Sequence, residues 1–253
     1  MGEETVIEVQ DLEVEYRNRR ETVQAVKGVS FSVHRGECVG FIGPNGAGKS
    51  STMKCLMGFH FPARGSIRIF GQPAGTVESK VRIGYLPEVT LYYPFLKGTE
   101  LLRLYGGLHR VPKAELKKRI PLILDEVGLS GVGDRLIREY SKGMQQRLGI
   151  AQALIAEPEC LIFDELSSGL DPVGRHDLRK ALLGLKEKGA TIFFSSHELY
   201  EVEALCDRVI AIHKGRVLFD EPLERLRELA GADGIERYFM DRVRAADSLL
   251  IPA

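Results

Sequence analysis

Apolar and polar residues alternate along Val6-Ile7-Glu8-Val9-Gln10-Asp11-Leu12-Glu13-Val14-Glu15-Tyr16, the pattern of a strand with one buried face. Asn18-Arg19-Arg20 reads as a polar turn, and the alternation resumes over residues 23–33 before Arg35-Gly36. The chain thus opens on an antiparallel β region. Cys38-Val39-Gly40-Phe41-Ile42 is instead continuously apolar, as a strand buried on both faces is, and residues 50–56 read as a helix. Short strands are predicted at 66–71 and 81–86. From 95 to 157 the period changes: Leu101, Leu102, Leu104, Tyr105 and Leu108 recur at helical spacing, and 114–127 and 143–156 are two further amphipathic segments. A mostly helical insert interrupts an α/β core. The core resumes with the apolar run 160–165, a turn leading into a helix that ends at Leu185, a strand at 190–196 and a helix at 198–206. A hairpin of 208–213 with 216–219 about Lys214-Gly215 and a terminal helix at 221–229 follow. Gly231-Ala232-Asp233-Gly234 reads as a hinge before a last amphipathic stretch containing Tyr238, Phe239 and Met240.

Candidate chemistry gathers at the ends of the apolar runs. Gly43-Pro44-Asn45-Gly46-Ala47-Gly48-Lys49-Ser50-Ser51 follows the run 38–42 and fits GxxxxGK[ST], the phosphate-binding P-loop. Small residues let backbone N–H groups curl around phosphate oxygens, and the helix that follows adds amide donors and its positive dipole end. Lys49 would bring a mobile charge to the β- and γ-phosphates, Ser50 would give its hydroxyl to Mg²⁺, and Ser51 would support the α-phosphate. The competing reading is a glycine-rich turn with a solvated lysine. The run 160–165 ends in two carboxylates, Asp164 and Glu165. Either the strand simply runs out into a polar loop, or Asp164 positions Mg²⁺ through its waters while Glu165 orients or deprotonates a water for in-line attack on the γ-phosphate. His197 closes the strand 190–196, as a structural histidine or as a further polar group at the ligand-binding edge of the sheet. Glu88, just past the strand 81–86, would face the same edge. Tyr16 stacks on a nucleotide base or is an ordinary strand aromatic. The run Leu91-Tyr92-Tyr93-Pro94-Phe95-Leu96 is a buried plug or a partner-docking patch.

Composition narrows the class. The chain has 253 residues, 44% of them apolar, enough for one large α/β domain with a smaller satellite. Its 35 basic residues balance 35 acidic ones, so no basic excess points to a nucleic-acid partner. The four cysteines, Cys38, Cys55, Cys160 and Cys206, lie far apart without a CxxC pair, which reads as a reduced cytosolic protein lacking a structural metal. The opening Met1-Gly2-Glu3-Glu4 has no secretion-signal character, and Val6 stands where a myristoylation motif needs Ser or Thr. No apolar stretch is long enough to span a bilayer, so membrane work would need a separate spanning chain.

Tyr140-Ser141-Lys142-Gly143-Met144-Gln145-Gln146-Arg147, upstream of Asp164, resembles the LSGGQQQR signature of ABC-type ATPases. The resemblance runs from Tyr16 through the P-loop, the signature, the apolar-Asp-Glu strand and the Ser168-Gly169-Leu170-Asp171 loop to His197. It implies a two-lobed nucleotide-binding domain over 1–230, with a RecA-like core at 1–94 and 158–230, a helical subdomain at 95–157 and a C-terminal extension at 231–253. It also implies that two copies, or one copy and a paralogous ATPase subunit, pair head to tail. Each ATP, with Mg²⁺, would then lie between one P-loop and the other subunit's Ser141 and Gly143. Tyr16 would stack on adenine, His197 would act as the switch histidine, and Glu88 would replace the usual glutamine as a metal or water sensor. At the signature Tyr140, Lys142 and Met144 depart from the family pattern, and Leu166 replaces a common proline. The variants around Glu88 and Ser141 are similar to those of bacterial and archaeal exporter-type subunits, which implies a peripheral protein on the cytoplasmic face of the membrane, bound to a transmembrane permease. A soluble ABC ATPase acting in assembly, repair or translation is the alternative. A non-hydrolysing sensor fits less well, because Lys49, Asp164, Glu165 and His197 are all retained.

Overall fold

The computed structural model describes residues 4–17, 21–89, 91–165 and 170–248; the Asn18-Arg19-Arg20 turn and the Ser168-Gly169 part of the loop before Asp171 lie outside them. In chain order the elements are β1 (Thr5–Arg17), β2 (Thr22–His34), β3 (Cys38–Ile42), α1 (Lys49–Leu56), β4 (Arg64–Ile69), β5 (Gln72–Pro73), α2 (Val77–Lys80) and β6 (Ile83–Leu86). Next come α3 (Gly98–Leu108), α4 (Lys113–Glu126), α5 (Lys142–Leu154), β7 (Cys160–Phe163), α6 (Pro172–Glu187) and β8 (Thr191–Ser196). The chain continues with α7 (Leu199–Leu205), β9 (Arg208–His213), β10 (Arg216–Pro222), α8 (Leu223–Ala230) and α9 (Gly234–Ser248). Contacts divide the chain into two compact units, one formed by residues up to Ser79 with those from Phe193 onward, the other by Lys80–Ile192.

In the first unit β2, β1, β4 and β5 form a four-stranded antiparallel sheet in that order. Its buried positions change phase: Val9 faces the core, then Leu12 and Val14 do, with Gln10 and Asp11 exposed between them. A bulge makes the change. The register shifts between Val9 and Leu12, Asp11 takes φ 46°, and its N–H donates to Ser30 Oγ at 2.8 Å. Gly65 of β4 is required opposite, because a Cβ there would stand 2.3 Å from the Asp11 carbonyl oxygen. The other strands of this unit run β10-β9-β3, with β3 parallel to β9 and β10 antiparallel to it. All five residues of β3 are buried, and the rings of Phe31, Phe41 and Phe193 meet at 5.4–5.6 Å in this core.

The second unit has β6 parallel to β7, pairing Leu86 with Phe163, and packs α3, α4 and α5 against one another. α5 lies directly on β6: a Cβ on Gly149 would stand 2.5 Å from Leu86 Cδ1.

The expected α/β class, with its N-terminal antiparallel region and helical insert, is the fold observed. Three local expectations change. β7 ends at Phe163 rather than running to Glu165. β10 continues to Pro222, so the helix expected from residue 221 starts at Leu223, where a proline before the first turn loses no helical bond. Where a hinge is expected, residues Gly231–Asp233 form a single 3₁₀ turn, and α8 and α9 pack together. No helix among the described residues is long and apolar enough to cross a membrane.

Candidate functional site

The first unit carries the P-loop at the end of β3. Gly43 lies so close to β9 that a Cβ would meet the Ile212 carbonyl oxygen at 2.3 Å. The Ala47 N–H closes a turn on the Pro44 carbonyl at 3.1 Å, and the Gly215 N–H, from the β9–β10 turn, donates to the Ala47 carbonyl at 2.8 Å. Gly46 and Gly48 take φ 78° and 114°, and a Cβ on Gly48 would also strike the Ala25 carbonyl at 2.7 Å. Helix α1 starts immediately after Gly48, with no side-chain cap and no acidic residue in its first turn. The buried Lys49 turns its Nζ back onto the carbonyl oxygens of Gly43 at 2.7 Å and Pro44 at 3.4 Å. Ser50 and Ser51 follow it in the first turn, both half-buried.

Tyr16 is 36% exposed and donates its hydroxyl to Ser51 Oγ at 3.3 Å. Its ring lies 4.7 Å from that of His60, tilted by 31°, a partner that sequence reading misses because Gly58, Pro62 and Gly65 mark this stretch only as loop. His197, exposed after β8, lines a 260 Å³ cavity with Ile42, Gly43, Pro44, Asn45, Leu199 and Phe239. Of the predicted residues, the first unit therefore brings Gly43, Pro44, Asn45 and His197 to one cavity and links Tyr16 to Ser51.

The second unit holds the acids. The Asp164 N–H donates to the Leu86 carbonyl at 2.9 Å, which extends the β6–β7 pairing by one bond, and Asp164 and Glu165 are only 5% and 7% exposed. Burial, reinforced by the Asp164 carboxylate, pushes the Tyr85 phenol up to about 12. Among the described non-glycine residues with φ of +46° to +60°, Glu165 at φ 49° is the buried one; Asp11, Phe70, Arg110, Glu157 and Lys214 are wholly or partly exposed. Because β6 and β7 are parallel and in register, the exposed Glu88 follows the same end of the pair as Asp164 and Glu165.

Ser141 and Gly143 lie at the start of α5. That helix meets the acid-bearing end of β6 at Gly149, against Leu86; six helical residues place Gly143 about 9 Å along the axis from that contact. Ser141 caps α5, its Oγ accepting the Met144 N–H at 3.2 Å. Buried Tyr140 anchors the turn through its hydroxyl on the Val132 carbonyl at 2.8 Å. Among the described residues no cluster of three or more His, Cys, Asp or Glu side chains could hold a metal. All four cysteines are free and buried.

The P-loop, the buried acid pair and the capped signature helix define an ATP-binding cassette. Residues 26–168 match the family model described as ABC transporter, and the chain belongs to that family, as one of its ATPases. It is 44% identical over 228 residues to an uncharacterized ABC transporter ATP-binding protein, all4389, of Nostoc sp., covering 88% of this chain and 68% of that one. It is 35% identical over 255 residues to the Nod factor export ATP-binding protein I of Ralstonia nicotianae, covering 100% and 78%. A solved ATP binding subunit of an ABC transporter superposes with a TM-score of 0.81 at 34% identity, covering 94% of this chain and 99% of that one. The chain spans 62–78% of the lengths of its cyanobacterial and Ralstonia relatives.

Proposed function

We propose that this cassette binds Mg-ATP, pairs head to tail with a second copy or a paralogous subunit, and drives export through a separate transmembrane permease from the cytoplasmic face of the membrane. The observation that carries the reading is the P-loop, in which a buried lysine is held on two carbonyls that an incoming phosphate can replace. Family membership and the name of the Ralstonia relative support the transport and export parts.

The chain's own groups divide the work. Backbone amides of residues 43–48 and the start of α1 would cradle the phosphates, and Lys49 would move onto the β- and γ-oxygens. Tyr16, backed by His60, would take the base. Ser50 Oγ, the Asp164 carboxylate and the exposed Glu88 are hard oxygen donors of the kind Mg²⁺ accepts beside its waters, and the ion would neutralise charge on the β- and γ-phosphates. Glu165 would hold the attacking water and His197 would contact the γ-phosphate. A hydroxyl has one proton and two lone pairs, so Ser141 can accept the Met144 N–H and still donate to a γ-phosphate held by the partner copy, which Gly143 lets approach closely. The division into a core at 1–94 and 158–230, a helical subdomain at 95–157 and an extension at 231–253 belongs to the same reading. Tyr92, Tyr93 and Phe95 are the proposed permease contact; Tyr93 and Phe95 are 57% and 67% exposed, beside Leu91 at 90%, whereas Tyr92 is half-buried.

Glu165→Gln tests it: the variant should bind ATP normally, accumulate as a stable dimer in sizing experiments and lose at least about 100-fold in turnover. A monomer with unchanged turnover would overturn the reading.

A further inference from the structure

Helix α9 reaches the nucleotide site by two routes. Phe239, buried on one face of the helix, packs edge-on against Phe219 of β10 with ring centroids 6.5 Å apart. It also lines the 260 Å³ cavity shared with Gly43, Pro44, Asn45 and His197. Two turns further along, the Asp247 carboxylate bridges His213 Nε2 and Lys214 Nζ, each at 2.7 Å. His213 ends β9 and Lys214 opens the β9–β10 turn, whose next member, Gly215, donates its N–H to the Ala47 carbonyl of the P-loop and accepts the Lys27 N–H on its own carbonyl. His213 is buried and its Nδ1 has no hydrogen-bonding partner, so the ring's polar anchor is Nε2 on Asp247. Lys214 and His213 together hold the Asp247 carboxyl below the usual carboxylate range.

We propose that α9 is a working part of the ATP site: Phe239 is a positioning residue for the turn 43–45 and for His197, and Asp247 clamps the helix to the turn whose Gly215 N–H hydrogen-bonds the P-loop. The inference rests on nucleotide binding at that loop and extends it to a helix beyond the stretch that the family model matches. The cavity that Phe239 lines is bordered by the leading half of the loop and by His197, and not by Gly46, Gly48 or the start of α1, where the α- and β-phosphates would be held. Its loss should therefore disturb hydrolysis more than the grip on a diphosphate.

The test compares the full-length protein with Phe239→Ala, Phe239→Leu, Asp247→Ala and, as a control on the exposed side of α9, Met240→Ala. ADP affinity is measured by calorimetry, steady-state ATPase by phosphate release, and the histidine rings by NMR. Phe239→Ala should lower kcat about 10-fold, leave the ADP dissociation constant and the KM for ATP within about two-fold, and shift the His197 ring resonances while those of His109 and His176 stay in place. Phe239→Leu, which keeps apolar bulk, should restore most of kcat. Asp247→Ala should shift the His213 resonances and lower kcat by a few fold, and Met240→Ala should change neither. Phe239→Ala protein with wild-type kcat and unmoved His197 signals overturns the inference, as does a parallel loss of ADP affinity and thermal stability that leucine does not rescue. Failure of the underlying reading looks different: wild-type protein that binds no ADP, or binds it equally well as Lys49→Ala.

Discussion

The two helices proposed to bear the nucleotide chemistry begin in opposite ways. α1 starts from a left-handed glycine, without a side-chain cap and without an acid in its first turn. α5 starts from an extended Ser141 whose hydroxyl closes the first turn on Met144 N–H, again without an acid there. A serine cap contributes about 1 kcal/mol, a stabilisation that α1 does without. A helix end lacking its own cap suits an anion bound within the same chain, whereas a capped one is complete in itself and has only its remaining proton to offer outward. α6 shows the ordinary solution, Asp171 capping through the Gly174 N–H at 2.8 Å.

The strongest way to break this contrast is Lys49→Ala. Losing charge-assisted bonds to phosphate should cost about 1.5–3 kcal/mol, roughly a 10- to 100-fold weaker ADP affinity by calorimetry; unchanged affinity would show that the α1 end is not the anion site. Ser141→Ala comes next. It should lower the melting temperature by about 2–4 °C through loss of the cap and reduce ATP turnover about 10-fold. ADP affinity should be untouched, since the proposed target of the hydroxyl is the γ-phosphate. If ADP affinity fell as well, both helix ends would serve one nucleotide in one chain. The smallest effect concerns the acids. Tyr85 is raised from 10.0 to about 12, chiefly by burial and then by Asp164. Stability gained from keeping the phenol protonated is therefore complete below pH 10 and lost as pH rises through about 12. Ultraviolet titration of Asp164→Asn should show Tyr85 ionising at lower pH than in the wild type, and an identical titration would mean that the carboxylate charge is not felt there.

Most of the architecture is legible from periodicity: the alternation along β1 reports its buried face directly, whereas in α3 the spacing marks the helix but not its face, since Leu101 and Leu102 are buried and Leu104 and Leu108 are exposed. The P-loop is legible because its glycines answer local backbone demands at Gly46 and Gly48. Long-range partners are not. A pattern reveals that Phe239 is apolar on an amphipathic helix, but not that its cavity is shared with Pro44 and His197. His60 behind Tyr16 is hidden for the same reason. The bulge at Asp11 leaves a trace in sequence, the two polar residues between Val9 and Leu12, but the bare Gly65 backbone that it requires across the sheet cannot be paired with it from the pattern.

Glu165 keeps a left-handed backbone in a buried place, where an ordinary L-residue is strained by roughly 1–2 kcal/mol and glycine is not. A replacement there changes two things at once unless it is chosen with care. Glycine would relax the main chain while removing the carboxylate, so a protein that became sturdier and inactive together would say little about chemistry. Glutamine keeps both shape and backbone tension and exchanges one carboxylate oxygen for an NH2 group, removing the charge and the proton-accepting site, which makes it the substitution whose effect is ascribed to the acid and not to the backbone.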